Sequence, residues 1–165
     1  MRYSAIKPVD IANGPGVRVS LFVSGCPHHC KGCFNAETWS FNHGEEFTDI
    51  TTAQLVELLA PNYIRGMSLL GGEPLAPQNI DVVTRLAKTV RETYPQKDIW
   101  CYTGYLWDDV RHLPIMQYVD VLVDGPFIEA EKDLMLLFRG SRNQRLIDVP
   151  KSISGTHIDL WKPTK

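Results

Sequence analysis

Three of the chain's four cysteines fall within eight residues, as Cys26-x-x-x-Cys30-x-x-Cys33, and this spacing constrains the chain more than any other feature. A disulfide-stapled secreted fold would use more cysteines over 165 residues and spread them further apart. Clustered thiols read instead as ligands of a metal ion or of an iron–sulfur cluster. Gly25, Pro27, His28, His29 and Gly32 favour turns around them over regular structure. Such a loop can wrap three corners of a [4Fe-4S] cluster and leave the fourth iron without a protein ligand. A zinc ion completed by His28, His29 or Cys101 is the competing reading. On the cluster reading both histidines are turn residues and Cys101 is an ordinary buried thiol.

The remaining composition excludes several classes. Apolar residues make up 44% and charged residues 22%, the balance of an ordinary globular domain able to bury one core. With 17 Lys and Arg against 19 Asp and Glu, the net charge of −2 argues against a nucleic-acid partner. No apolar run approaches the roughly 20 residues needed to cross a bilayer, so no membrane association is expected. Met1-Arg2-Tyr3-Ser4-Ala5 does not open a signal peptide, and the expected location is cytoplasmic.

Periodicity organises the chain around these thiols. Residues 17–23 are β-branched and aromatic and predict a strand that ends at Ser24-Gly25, immediately before the cysteines. Residues 67–70 and 99–103 predict two more strands, and 119–123 a fourth. A helix starting at Thr51 or Thr52 carries Leu55, Leu58 and Leu59 on one face. Residues 77–94 give the clearest helix, with Ile80, Val83, Leu86, Ala87 and Val90 at helical spacing and Pro95 beyond its end. A short helix is expected around 107–112. Strands alternating with helices predict an α/β fold with a mostly parallel sheet of four or five strands. Residues 1–150 are expected to form a single domain, and the polar residues 151–165 a loosely attached tail. In a parallel α/β sheet the loops after the strand C-termini share one edge, where ligands bind. The cysteine loop, Gly71-Gly72-Glu73-Pro74, Gly104 and Asp124-Gly125-Pro126 should therefore converge.

Cys26-x-x-x-Cys30-x-x-Cys33 followed by Gly71-Gly72-Glu73-Pro74 resembles the radical S-adenosylmethionine (SAM) superfamily. The resemblance implies a minimal, partial (open) βα barrel and two cofactors, a [4Fe-4S] cluster on the three cysteines and SAM on its open iron. It also implies that an electron from the cluster splits SAM into methionine and a 5′-deoxyadenosyl radical. Carried over by position, the backbone around Gly32, Cys33 and Phe34 would contact SAM, with Phe34 over the adenine. Gly71, Gly72 and Glu73 would meet the amino end of its methionine part, and Thr103 the ribose. Gly32 stands where the superfamily often has an aromatic residue, so adenine stacking must come from elsewhere.

Upstream, Asn13-Gly14-Pro15-Gly16-Val17-Arg18 resembles the Gly-x-Gly-x-Arg signature of the glycyl-radical-enzyme activating proteins. These glycines precede a strand rather than a helix, which argues against a phosphate cradle. Residues 3–10, Cys33-Phe34-Asn35 with Thr38-Trp39, Asp98-Ile99-Trp100 with Thr103-Gly104-Tyr105, residues 121–125, and Arg139-Gly140-Ser141 with Asn143-Gln144 narrow the match. Over roughly residues 1–147 they resemble the branch whose protein substrate is the anaerobic ribonucleoside-triphosphate reductase. That branch implies hydrogen abstraction from one backbone glycine of the reductase, and a low-potential electron donor such as flavodoxin. An activase of another glycyl radical enzyme, of the pyruvate formate-lyase type, is the alternative, and a non-catalytic iron–sulfur electron carrier is a further one. Charge is segregated: residues 34–60 hold five acidic and no Lys or Arg residues, and 132–165 hold seven basic against three acidic. Such segregation can steer docking, although most charge runs are solvated faces.

Overall fold

The computed structural model describes residues 1–163. Its centre is the set of four parallel strands expected from the apolar runs: β2 (Val17–Val23), β4 (Ile64–Gly71), β5 (Asp98–Tyr102) and β6 (Val121–Asp124). Three further strands extend the sheet: β1 (Arg2–Asp10), the two-residue β3 (Glu45–Glu46) and β7 (Arg145–Asp148). The sheet thus has seven strands in the order β3-β1-β2-β4-β5-β6-β7, not the expected four or five. β1 and β7 run against their neighbours, whereas β3, antiparallel to β1, points the same way as the central four. The fold is mixed α/β with a mostly parallel sheet.

The helices are α1 (Asp49–Leu59), α2 (Ile80–Thr93), α3 (Trp107–Val110) and α4 (Val149–Ser154). α1 begins two to three residues before the expected caps, because Thr48 precedes it and donates its N–H to Thr51 Oγ1 at 3.2 Å. α2 buries the expected stripe of Val83, Leu86, Ala87 and Val90. With Leu55 and Leu59 of α1 it covers one sheet face, closing a core over Val19, Leu21, Met67, Leu69, Ile99 and Cys101. The other face carries a smaller apolar cluster around Trp100, Val121, Val123 and Leu146. The stretch expected as a polar tail is attached instead. α4 covers residues 149–154, the Trp161 N–H donates to Leu146 O at 2.8 Å, and the Trp161 ring meets Trp100 edge-on at 4.8 Å. One tryptophan supplies an anchor that the surrounding polar sequence hides. Residues 164–165 lie outside the described residues. No described helix is long and apolar enough to cross a membrane.

Parallel register sets the site. Val23 pairs with Gly71, Leu69 with Cys101, and Tyr102 with Val123, so β2, β4, β5 and β6 end along one edge.

Candidate cluster and cofactor site

A cavity of about 520 Å³ opens at that edge, with walls drawn from all four post-strand loops. Cys26, Cys30 and Cys33 line it from the first loop, and Phe34 stands beside them, largely exposed. Gly71, Gly72 and Glu73 line it from the second, Thr103 and Gly104 from the third, and Gly125 and Phe127 from the fourth. The expected convergence is therefore present. Gly32 is not part of the wall; it turns outward with φ 75° against the Glu129 carboxylate.

Backbone hydrogen bonds lash the cysteine loop to its surroundings. Gly25 N–H donates to Thr38 O at 2.7 Å and Cys26 N–H to Trp39 O at 3.0 Å. The Gly72 N–H donates to Val23 O at 2.7 Å, and the Glu73 N–H to Gly25 O at 2.8 Å. Asn79 then joins both segments, donating through Nδ2 to Ser24 O at 3.0 Å and Glu73 O at 2.9 Å. The double glycine has a local reason. Gly71 takes φ 106°, a conformation costly for any residue with a Cβ, and at Gly72 a Cβ would sit 2.6 Å from Gly25 O. Replacing Gly72 by Ala should drive the cysteine loop away from β4. An overpacking cost of about 1–3 kcal/mol is expected, read as a lowered thermal midpoint and reduced iron loading.

The donor set fits a cluster better than a lone metal ion. Among the described residues no three His, Cys, Asp or Glu side chains converge tightly enough to hold one ion. Each residue proposed to complete a zinc site is engaged elsewhere. His28 Nε2 lies 2.8 Å from Glu73 Oε2, His29 stacks on Trp39 at 4.6 Å, and Cys101 is fully buried in the core. The three loop cysteines are partly exposed and spread around one cavity. Burial pushes the Cys26 thiol up to about 11, so ligation there must release its proton.

Two residues expected as cofactor contacts lie deeper than that role suggests. Glu73 is 1% exposed, and Thr103, itself buried, spends its hydroxyl donating to Glu73 Oε1 at 2.8 Å. Sequence reading passed over Ala12 and Asn13, which line the cavity from the β1–β2 loop, and Tyr102, Phe138 and Arg139 opposite. Asn13 and Arg139 alone carried a signal, through the glycine-rich motif and the Arg139-Gly140-Ser141 element that contain them.

Comparison with known proteins agrees with this geometry. Residues 12–147 match the family described as a 4Fe-4S single cluster domain. An anaerobic ribonucleoside-triphosphate reductase-activating protein of Enterobacteria phage T4 is 47% identical over 148 residues, 88% of this chain and 93% of that protein. The Escherichia coli K12 protein of the same name is 45% identical, over 87% of this chain and 96% of its own. That of Haemophilus influenzae is 43% identical over the same shares.

Proposed function

Because this chain belongs to the anaerobic ribonucleoside-triphosphate reductase-activating proteins, we propose that it generates a glycyl radical on that reductase, with Cys26, Cys30 and Cys33 as its cluster ligands. The observation that carries the assignment is the placement of three cysteine thiols and the Gly71-Gly72 turn on one cavity wall. When bound, the [4Fe-4S] cluster supplies the electron that splits SAM into methionine and the 5′-deoxyadenosyl radical, which takes a hydrogen atom from a reductase glycine.

The chain's own residues do the holding. Cys26, Cys30 and Cys33 would hold three corners of the cluster, and the partly exposed backbone of Gly71 and Gly72 would receive the methionine end of SAM. Phe34, beside Cys33 and largely exposed, covers the adenine side. Thr103 and Glu73 act from within the wall. A protein substrate needs a site open to a surface, and the cavity is lined in part by the exposed apolar side chains Phe34 and Leu134. Exposed apolar patches of this kind mark partner surfaces. The mostly parallel sheet with its ligand edge supports an open radical SAM barrel over residues 1–150. A low-potential donor such as flavodoxin supplies the electron, and the reduced, clustered thiols suit the cytoplasm.

The test is an electron paramagnetic resonance spectrum of anaerobically reconstituted, reduced protein, with and without SAM. A [4Fe-4S] signal that changes on SAM addition is expected. A cluster signal indifferent to SAM would leave an electron carrier, and stoichiometric zinc with no cluster would remove the assignment.

A further inference from the structure

Glu73 is buried to 1% exposure, yet both of its carboxylate oxygens are fully used. Oε1 accepts from the Leu75 N–H at 2.9 Å and the Thr103 hydroxyl at 2.8 Å. Oε2 accepts from the Gly104 N–H at 2.8 Å and lies 2.8 Å from His28 Nε2. A carboxylate this deep is tolerated only when its lone pairs are filled. The four donors come from three different loops, and His28 alone belongs to the cysteine loop. As a carboxylate accepts only, the imidazole donates through Nε2.

His28 is seated as closely as Glu73. Its ring meets Tyr105 edge-on at 4.5 Å, and it lies over Gly104, where a Cβ would sit 2.5 Å from its Cδ2. The loop's other ion pair, Lys31 to Glu129 at 3.3 Å, is solvent-exposed and contributes little, and its stack of His29 on Trp39 reaches neither the Gly71-Gly72 turn nor β5.

We infer that His28 and Glu73 are positioning residues, a latch that holds the loop bearing Cys26, Cys30 and Cys33 in register with the Gly71-Gly72 turn and the end of β5. The inference rests on the reading of residues 26–33 as the cluster loop. Neither residue touches the reacting atoms. Both act through the thiols they hold in place, as the supporting partners of metal ligands do.

Three variants test the latch. His28→Ala removes the donor, Gly104→Ala displaces the ring without removing it, and His28→Gln restores an N–H at a similar reach. The first readout is amide hydrogen exchange of cluster-free protein. Exchange of residues 26–33 should speed by about tenfold in His28→Ala and Gly104→Ala, return toward the parent in His28→Gln, and stay unchanged in α2. The second is a SAM titration of the reduced, iron-loaded protein followed by its paramagnetic spectrum. Apparent SAM affinity should fall by about 10–100-fold in His28→Ala at equal iron content, with cleavage at saturating SAM much less affected. Unchanged exchange in both disrupting variants would overturn the latch. Faster exchange with an unaltered SAM titration would reduce it to a structural contact and overturn the positioning role. A parent whose cluster ignores SAM would strike the reading of the site instead, and the exchange comparison would still decide the latch.

Discussion

Alanine at any one of Cys26, Cys30 or Cys33 should abolish cluster assembly, and with it SAM cleavage, while alanine at Cys101 should leave both intact. Among the described residues the three thiols are the only cysteines on the cavity wall, and the residues considered as replacement ligands are engaged elsewhere. His28 is held by Glu73, His29 lies flat on Trp39, and Cys101 is sealed in the core with its thiol pushed up by burial. Losing one of three thiolates leaves a cluster on two protein ligands, which this chain has no means to retain. Cleavage should fall by on the order of 10³-fold or more, equivalent to about 4 kcal/mol of barrier. Iron and acid-labile sulfide per chain, together with the reduced spectrum, are the measurements. A single-cysteine variant that kept full iron and a SAM-responsive signal would remove that cysteine from the ligand set. Loss of iron in Cys101→Ala would bring the core thiol into it.

This contrast was legible in the sequence because its determinants are local. Three thiols within eight residues, a double glycine after an apolar run, and helical spacing from Ile80 to Val90 each announce themselves within one window. The parallel centre of the sheet followed from strands alternating with helices. What local reading missed is carried by pairing across distance. β3 is two residues long and exists only because Arg2 and Tyr3 pair with Glu46 and Glu45. β7 is four residues whose strand character comes from lying beside β6. Glu73 follows the double glycine in sequence and lines the cavity in the fold, but the sequence does not show what its carboxylate meets. Its partners His28 and Gly104 lie 45 and 31 residues away in sequence, and only the folded chain shows its oxygens already filled.

Arg18 is the sharpest case of a residue visible in the sequence whose work is visible only in the fold, and its replacement should be the most destabilising change outside the cavity. It ends the glycine-rich motif on β2 and is completely buried. Nε donates to Ser68 Oγ and Nη2 to Met67 O, each at 2.8 Å, and Nη1 pairs with Asp98 Oδ1 at 2.5 Å. Nη1 also reaches Pro15 O at 3.3 Å, and Ser68 in turn donates to Asn13 O, so the guanidinium anchors the β1–β2 loop whose Ala12 and Asn13 line the cavity. Burial lowers its pKa from the usual guanidinium value, and the Asp98 charge opposes that shift. Breaking a buried pair by removing one partner costs about 3–5 kcal/mol, because the other charge is stranded. Here Asp98 is not stranded, since it keeps Arg65 at 3.0 Å and is partly exposed. What Arg18→Met strands are the carbonyls of Met67 and Pro15, so the lower end, about 3 kcal/mol, is expected. For a chain of this length that corresponds to a fall of roughly 6–12 °C in thermal midpoint. Arg18→Lys should fall between, because one ammonium cannot reproduce the fork that spans Ser68, Met67 and Asp98. Thermal unfolding of cluster-free protein measures both. A midpoint for Arg18→Met within about 2 °C of the parent, less than 1 kcal/mol for this size, would show that the loop is held by something other than this guanidinium.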